Sequence, residues 1–339
     1  MTPTGPNAAA DLPDPNIGDI EGAARRIAPA AVRTPLVESP LLNARAGGRI
    51  LIKAEMLQRT GSFKFRGAYN FVSQIDPERR RRGVTAFSSG NHAQGVAAAA
   101  QQHGIPATMV MPADAPAIKR RNTEFYGAKV ITYDRDKDDR QAIAEGVVAE
   151  TGAVLVPPYD HPWIMAGQGT VGLEIAEQAA ALEVQPDAVL APCGGGGLIA
   201  GIAIAVSDRL PGCDVFAVEP AAYDDTARSL ASGKRLAVTA GGHSFCDALL
   251  APMPGERTFG VNARLLAGGL RVSDDTVAEA MLALFEDTKL VVEPGGAVAL
   301  AAVLSGAYPL NGRTVVVVCS GGNVDPATFC RALCSGGRT

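Results

Sequence analysis

Short runs of Val, Ile and Ala alternate along the chain with longer stretches in which apolar residues recur every three or four positions. The runs predict strands at 50–53, 84–87, 108–111, 129–133, 154–156, 188–191, 215–218 and 314–318. The stretches between them predict amphipathic helices. One spans 274–288 and places Val277, Met281, Leu284 and Phe285 on one face; another, alanine-rich, spans 93–102. Strands and helices in alternation predict an α/β fold, with largely parallel sheets and helices on both faces. No internal repeat or low-complexity linker breaks the pattern.

Four small-residue segments carry candidate chemistry. Thr60-Gly61-Ser62-Phe63-Lys64-Phe65-Arg66-Gly67-Ala68 sets a lysine in a turn where a helical segment starts. Ser62 is placed to cap that helix, whose positive N-terminal end disfavours an ammonium. An amine held neutral is a nucleophile toward a carbonyl, although a lysine taken alone belongs on a solvated face. Ser88-Ser89-Gly90-Asn91-His92 joins a strand to a helix, and its amides and hydroxyls suit a substrate carboxylate. By itself it is also an ordinary Ser/Asn helix cap. Cys193-Gly194-Gly195-Gly196-Gly197-Leu198 lets backbone amides approach an anion closely, as a phosphate cradle does. It contains Gly195-x-Gly197-x-x-Ala200 but no Gly-Lys-Ser/Thr and no acidic partner, so a phosphate monoester suits it better than a nucleotide. Cys319-Ser320-Gly321-Gly322-Asn323 ends the last strand, where Ser320 can offer its hydroxyl to a ring nitrogen or a phosphate.

Together and in this order the four segments resemble the fold type II pyridoxal-phosphate enzymes, in the threonine/serine dehydratase and serine racemase branch. Val156-Pro157-Pro158-Tyr159-Asp160-His161-Pro162, Ala166-Gly167-Gln168-Gly169-Thr170 and Glu293-Pro294-Gly295-Gly296-Ala297 extend the resemblance over residues 20–325. It implies a two-lobed, tryptophan synthase β-like fold. Residues 1–82 and 159–339 would form the large cofactor-binding lobe, with a small lobe, 83–158, inserted in it. It implies that Lys64 binds the cofactor and then shuttles the Cα proton, and that Phe63 packs against the cofactor ring. Asn91 would hydrogen-bond the ring hydroxyl; Gly194, Gly195, Gly196 and Gly197 would hold the phosphate, and Ser320 would face the pyridine nitrogen. Ser88, Ser89, Asn91 and His92 would surround the substrate carboxylate. A serine hydroxyl, unlike a carboxylate, does not keep the ring nitrogen protonated, which favours prompt loss of a β-hydroxyl over transamination. The expected reaction is therefore β-elimination from a β-hydroxy amino acid such as L-threonine or L-serine, giving a 2-oxo acid and ammonia.

Departures within the family refine that expectation. Many threonine dehydratases carry Ser-Ala-Gly-Asn-His, whereas Ser89 stands second here, as in serine racemases and 3-hydroxyaspartate dehydratases. Ser89 would act as an acid or base on the cofactor face opposite Lys64. Glu219, Asp225 and the Tyr223 backbone carbonyl resemble the divalent-cation site of that subgroup, with oxygen ligands suited to Mg²⁺ or Ca²⁺. Arg140 resembles an arginine that meets a second substrate carboxylate. Where relatives often read Ala-Asp-Gly near the substrate side chain, this chain has Cys246-Asp247-Ala248, which leaves 3-hydroxyaspartate dehydration or serine racemisation as alternative activities. A β-replacement enzyme and a non-catalytic amino-acid sensor are the rival classes; Ser89 and the acidic motif count against the first, and Lys64 against the second.

Composition narrows the partners. A 339-residue chain with 47% hydrophobic and 19% charged residues has ample core and is not disordered. A formal net charge of −4 argues against nucleic acid and anionic membrane, leaving a small-molecule substrate. No apolar stretch has spanning length. The six cysteines show no Cys-x-x-Cys pairing, which fits reduced thiols and a cytoplasmic enzyme. The Pro/Ala-rich residues 1–14 are expected to form a loose tail, and the resemblance implies a homodimer or homotetramer.

Overall fold

Among the described residues of the computed structural model, 12–135 and 137–336, ten strands form two separate sheets. In chain order they are β1 Leu36–Glu38, β2 Arg49–Ala54, β3 Val84–Phe87, β4 Ala107–Pro112, β5 Lys129–Tyr133, β6 Val154–Leu155, β7 Ala188–Pro192, β8 Asp214–Pro220, β9 Gly268–Val272 and β10 Thr314–Cys319. The larger sheet runs β1-β2-β10-β7-β8-β9 and the smaller β5-β4-β3-β6. Every pairing is parallel except β1 with β2. Residues 1–11, most of the expected tail, lie outside the described residues.

The pattern of apolar runs finds its cause in this topology. β10 lies between β2 and β7, and Val315, Val316, Val317 and Val318 are completely buried. A parallel strand covered on both faces reads as one continuous apolar run, and each buried valine contributes about 1.5–3 kcal/mol of transfer free energy. β1 and β9 escape prediction for the opposite reason: one has three residues, and the other starts with Gly268-Gly269 and is only half buried along most of its length.

Helices cover the sheets and meet through small residues. The helix Pro162–Ala181 crosses the helix Gly197–Arg209 so closely that a Cβ on Gly201 would lie 2.3 Å from the Met165 carbonyl oxygen. The helix expected over 274–288 is regular only over Asp274–Ala283. Leu284–Thr288 widens into a π-turn closed by Lys289 at φ 61°, which swings Phe285 off the buried face. Phe285 is 42% exposed and meets the Phe329 ring edge-on.

β3, β7 and β10 all end at the same kind of boundary: Phe87 leads into Ser88, Pro192 into the glycine run and Cys319 into Ser320. Parallel α/β sheets place their sites beyond such carboxyl ends.

Candidate active site

A cavity of about 500 Å³ gathers these strand ends. Phe63, Lys64, Ser88, Ser89, Asn91, His92, Arg140, the four glycines 194–197 and Ser320 all line it, residues separated by up to 257 positions in sequence (320 − 63).

Lys64 opens the helix Lys64–Gln74, but Ser62 does not cap it. Phe63 is already helical (φ −54°, ψ −21°), so Ser62 falls one residue outside, bridged to Gly321, with its hydroxyl buried and unpartnered. The helix is anchored instead by Arg66. Its guanidinium is fully buried and binds Glu55 through two hydrogen bonds of 2.8 Å and Glu174 through bonds of 2.7 and 2.9 Å. Lys53, buried beside it, binds Glu174 at 2.6 Å, so two cations and two carboxylates balance. Removing one partner of such a set typically costs about 3–5 kcal/mol, and that cost holds the helix start in place.

The Lys64 amine, although partly exposed to the cavity, has no carboxylate partner among the described residues; Nζ donates to the Pro158 carbonyl at 2.7 Å and lies 5.3 Å from the Phe63 ring centroid. Burial lowers its pKa from 10.5 to about 8. His92 is buried, bonded through Nε2 to the Val156 carbonyl at 3.0 Å, and burial lowers its pKa to about 3, so it is neutral at physiological pH. Among the described residues the Ser89 hydroxyl makes no hydrogen bond, whereas Ser88 Oγ accepts from the Gly90 amide at 3.1 Å.

The glycine run is pinned from behind. The Gly195 carbonyl accepts from the Gly255 amide at 3.2 Å and from Thr258 Oγ1 at 2.6 Å, and the Gly196 carbonyl accepts from Asn262 Nδ2. Among the described residues the amides of Gly194, Gly195 and Gly196 have no backbone acceptor, a free set of donors at the start of the helix Gly197–Arg209. Gly196 sits at φ 92°, and a Cβ on Gly195 would meet the Tyr159 ring at 2.3 Å. These donors, the unbonded Ser320 hydroxyl and Lys64 fit a phosphate-bearing aldehyde.

Asn91 is held by residues that pattern reading left without a role. Its Nδ2 donates to Glu293 Oε1 and its Oδ1 accepts from Asn323 Nδ2 at 3.0 Å, leaving one Nδ2 hydrogen. Glu293 in turn lies 3.1 Å from Lys119 Nζ, which donates to Asp247 at 2.7 Å. Lys119 is 2% exposed, its stem packed over Gly90, and the two carboxylates raise its pKa against burial. Its sequence context, Ile118-Lys119-Arg120-Arg121, reads as a basic surface helix, and only the meeting of the two sheets reveals it.

Glu219, Tyr223 and Asp225 lie apart from the cavity lining, at the end of β8 and the start of the helix Asp225–Ser232. Glu219 accepts from the Thr226 and Ala227 amides at 3.0 and 2.8 Å; Asp225 Oδ2 is buried with no partner. Burial, and for Glu219 also the neighbouring Asp225, raises the pair to about 8 and about 7. Hard oxygen donors of this kind fit a divalent cation, although no cluster of three or more His, Cys, Asp or Glu side chains with metal-holding geometry occurs among the described residues. The adjacent Thr226 hydroxyl is 3.4 Å from Cys193 Sγ, tying this corner to the glycine run.

Comparison with known proteins accords with this geometry. The family described as pyridoxal-phosphate dependent enzyme matches residues 27–321. L-threo-3-hydroxyaspartate ammonia-lyase of Saccharomyces cerevisiae is 43% identical over 92% of this chain and 94% of its own. The crystal structure of a threonine deaminase from T.th. superposes with a TM-score of 0.87 at 46% identity, over 92% of this chain and 99% of that one. Maize serine racemase gives 0.89 at 37% identity, over 95% and 97%.

Proposed function

The chain belongs to the pyridoxal-phosphate dependent enzymes, and from that premise we propose that it is an ammonia-lyase, removing water from β-hydroxy amino acids with 3-hydroxyaspartate among its substrates. The observation that carries the reaction class is Lys64, an amine without a counter-ion, set among donors for a phosphate, a ring and a carboxylate. Pyridoxal phosphate supplies the electron sink that acidifies the Cα–H of a bound amino acid. Lys64, partly neutral near pH 8, takes that proton. Ser88, Ser89 and the Asn91–His92 helix start hold the α-carboxylate, and Ser89 moves a proton on the face opposite Lys64. The β-hydroxyl leaves with a proton as water, and hydrolysis of the resulting enamine gives a 2-oxo acid and ammonia.

Charge around the cavity supports a substrate with two carboxylates. Lys119 and Arg135 are paired with Asp247 and Asp114, and Asp160 is occupied by the Glu256, Arg257 and Thr258 amides. Arg140, 5.3 Å above the Phe87 ring, has no carboxylate partner among the described residues. It is free to meet a second carboxylate.

A divalent cation, Mg²⁺ or Ca²⁺, would occupy Glu219, Asp225 and the Tyr223 carbonyl, supported by the unpartnered Asp225 oxygen. Both pKa values lie above the ordinary 4.5 and 3.8, so the folded state holds the extra protons. The cation-free protein therefore loses stability as pH rises from about 5 to about 8. Mg²⁺ at a hundredfold excess over its Kd restores about 2.7 kcal/mol. The segments 1–82 and 159–339 as one lobe and 83–158 as the other, a homo-oligomeric assembly and a cytoplasmic location complete the proposal. Among the described residues no helix is long and apolar enough to cross a membrane.

The test is ammonia release over L-serine, L-threonine and both 3-hydroxyaspartate diastereomers, with and without chelator. Turnover of a 3-hydroxyaspartate that falls with chelator is the expected result. Turnover of threonine and serine alone, indifferent to chelator, removes the second carboxylate and the cation. Silence on all four overturns the elimination and points to β-replacement or a sensor.

A further inference from the structure

Arg235 belongs to none of the motifs that the sequence singles out. It follows the helix Asp225–Ser232 and its left-handed Gly233, and it lines the cavity beside Pro252, Met253 and Pro254. Its Nε donates to the Pro254 carbonyl at 3.0 Å, which aims the rest of the fork, and it is in no ion pair among the described residues. Tyr159 lines the same cavity, with a hydroxyl that makes no hydrogen bond among the described residues. Burial, Asp160 and Asp225 work against the ionised form of that phenol, whereas Arg140 and Arg235 favour it, and both guanidiniums line the cavity that holds it. They arrive from different sheets: Arg140 opens the helix Arg140–Thr151 on the smaller one, and Arg235 extends a loop of the larger.

We propose that Arg235, with the Tyr159 hydroxyl, is a specificity-determining element that meets the substrate's distal carboxylate from the side of the larger sheet, facing Arg140. The proposal rests on the reading that a dicarboxylic β-hydroxy amino acid is a substrate. Three features carry it. A guanidinium fork matches a carboxylate with two parallel N–H bonds. Asp160 is occupied by backbone amides and Asp247 by Lys119, and neither pairs with Arg235 among the described residues; Asp225, which also acts on the phenol, is assigned to the cation. And a carboxylate held between guanidiniums from two sheets draws the walls of the cavity together around the reacting carbon, which a methyl or hydrogen in its place does not do.

The experiment compares wild type, Arg235→Gln, Arg235→Lys and Tyr159→Phe as holoenzymes. It reads kcat and KM for 3-hydroxyaspartate and L-threonine, together with cofactor absorbance. In Arg235→Gln the ratio of kcat/KM for 3-hydroxyaspartate to that for threonine falls at least tenfold, carried by KM, with the absorbance unchanged. Arg235→Lys recovers part of the ratio and Tyr159→Phe loses less than Arg235→Gln. An unchanged ratio overturns the role of Arg235 while leaving the substrate reading intact. So does an equal loss on both substrates, which would mark Arg235 as a support for the 252–255 loop. Wild type that turns over threonine but no 3-hydroxyaspartate overturns the substrate reading, and the proposal with it.

Discussion

Lys64 and Lys119 line one cavity, carry the same amine and stand in opposite surroundings. Lys64 faces a carbonyl oxygen and an aromatic ring, and burial alone sets its pKa, lowered to about 8. Lys119 is more deeply enclosed, yet Glu293 and Asp247 raise its pKa above the ordinary value. Enclosure therefore does not make a lysine reactive; enclosure without a counter-ion does. One amine is left without a counter-ion, and the other is held as a cation tying the helix Ala117–Phe125 to the segments carrying Asp247 and Glu293.

The comparison breaks most sharply at Lys64. Lys64→Ala removes the one cavity amine that has no carboxylate partner among the described residues, and activity should fall by roughly 10³-fold or more, with loss of the cofactor absorbance band. Lys119 is no substitute, because its proton is held by two carboxylates. Ammonia release and the absorbance spectrum check this, and retained activity would move the chemistry to another residue.

Next in size is Lys119→Met, which leaves Glu293 buried without its cation. The expected loss is about 3–5 kcal/mol in chemical denaturation. Lys119→Met combined with Glu293→Gln should recover part of it, since the second change removes the stranded charge. If the single variant is as stable as wild type, the tie contributes nothing and the contrast between the two lysines is one of geometry alone.

How much of this contrast could be read from sequence follows from how far apart its parts lie. The glycine run, Ser88–Ser89, Asn91 and Ser320 each sit directly after an apolar strand, so a local window displays both the position and the residue type. β10 was legible for the same reason. Lys64 stands out through its own turn at a helix start, but Ser62, the cap that the sequence suggests, does not bond the helix, and burial lowers the pKa. Lys119, Asp247 and Glu293 come from three elements across two sheets, up to 174 residues apart (293 − 119), and no window shows that they meet. Arg66 with Glu55 and Glu174 was hidden likewise, because a buried ion pair leaves no periodic mark. β1 and β9 were missed where the strand signal itself is short or broken by glycine.

A smaller effect separates the lysines by pH. With a pKa of about 8, Lys64 is neutral in roughly a tenth of molecules at pH 7 and nine-tenths at pH 9, so the rate of pyridoxal phosphate uptake by the apoprotein should rise about tenfold between them. His92, lowered to about 3, adds no step in this range. The sign for stability follows from the same value. The unfolded chain binds Lys64's proton up to pH 10.5 and the folded chain only up to about 8, so the apoprotein gains stability as pH rises across that window. Uptake that is flat with pH would mean that Lys64 is already neutral at 7.

Asp247→Asn should give the smallest change and decides which carboxylate holds Lys119. Asp247 forms the shorter contact, 2.7 Å against 3.1 Å, but its side chain is 33% exposed, and asparagine keeps an acceptor at the same place. A partly solvated pair of this kind contributes about 0.5–1 kcal/mol. Glu293 is 1% exposed, and burial raises its pKa while Lys119 opposes that rise. If Glu293 is ionised, it is the main counter-ion, and Asp247→Asn costs no more than about 1 kcal/mol. If burial keeps Glu293 protonated, Asp247 is the only anion left, and its removal strands Lys119 with a cost approaching that of Lys119→Met. Denaturation midpoints of the two variants, measured side by side at one pH, distinguish these cases. The second outcome would also make Glu293 a hydrogen-bond donor within the network that holds Asn91, with the Lys119 charge resting on a side chain that solvent reaches.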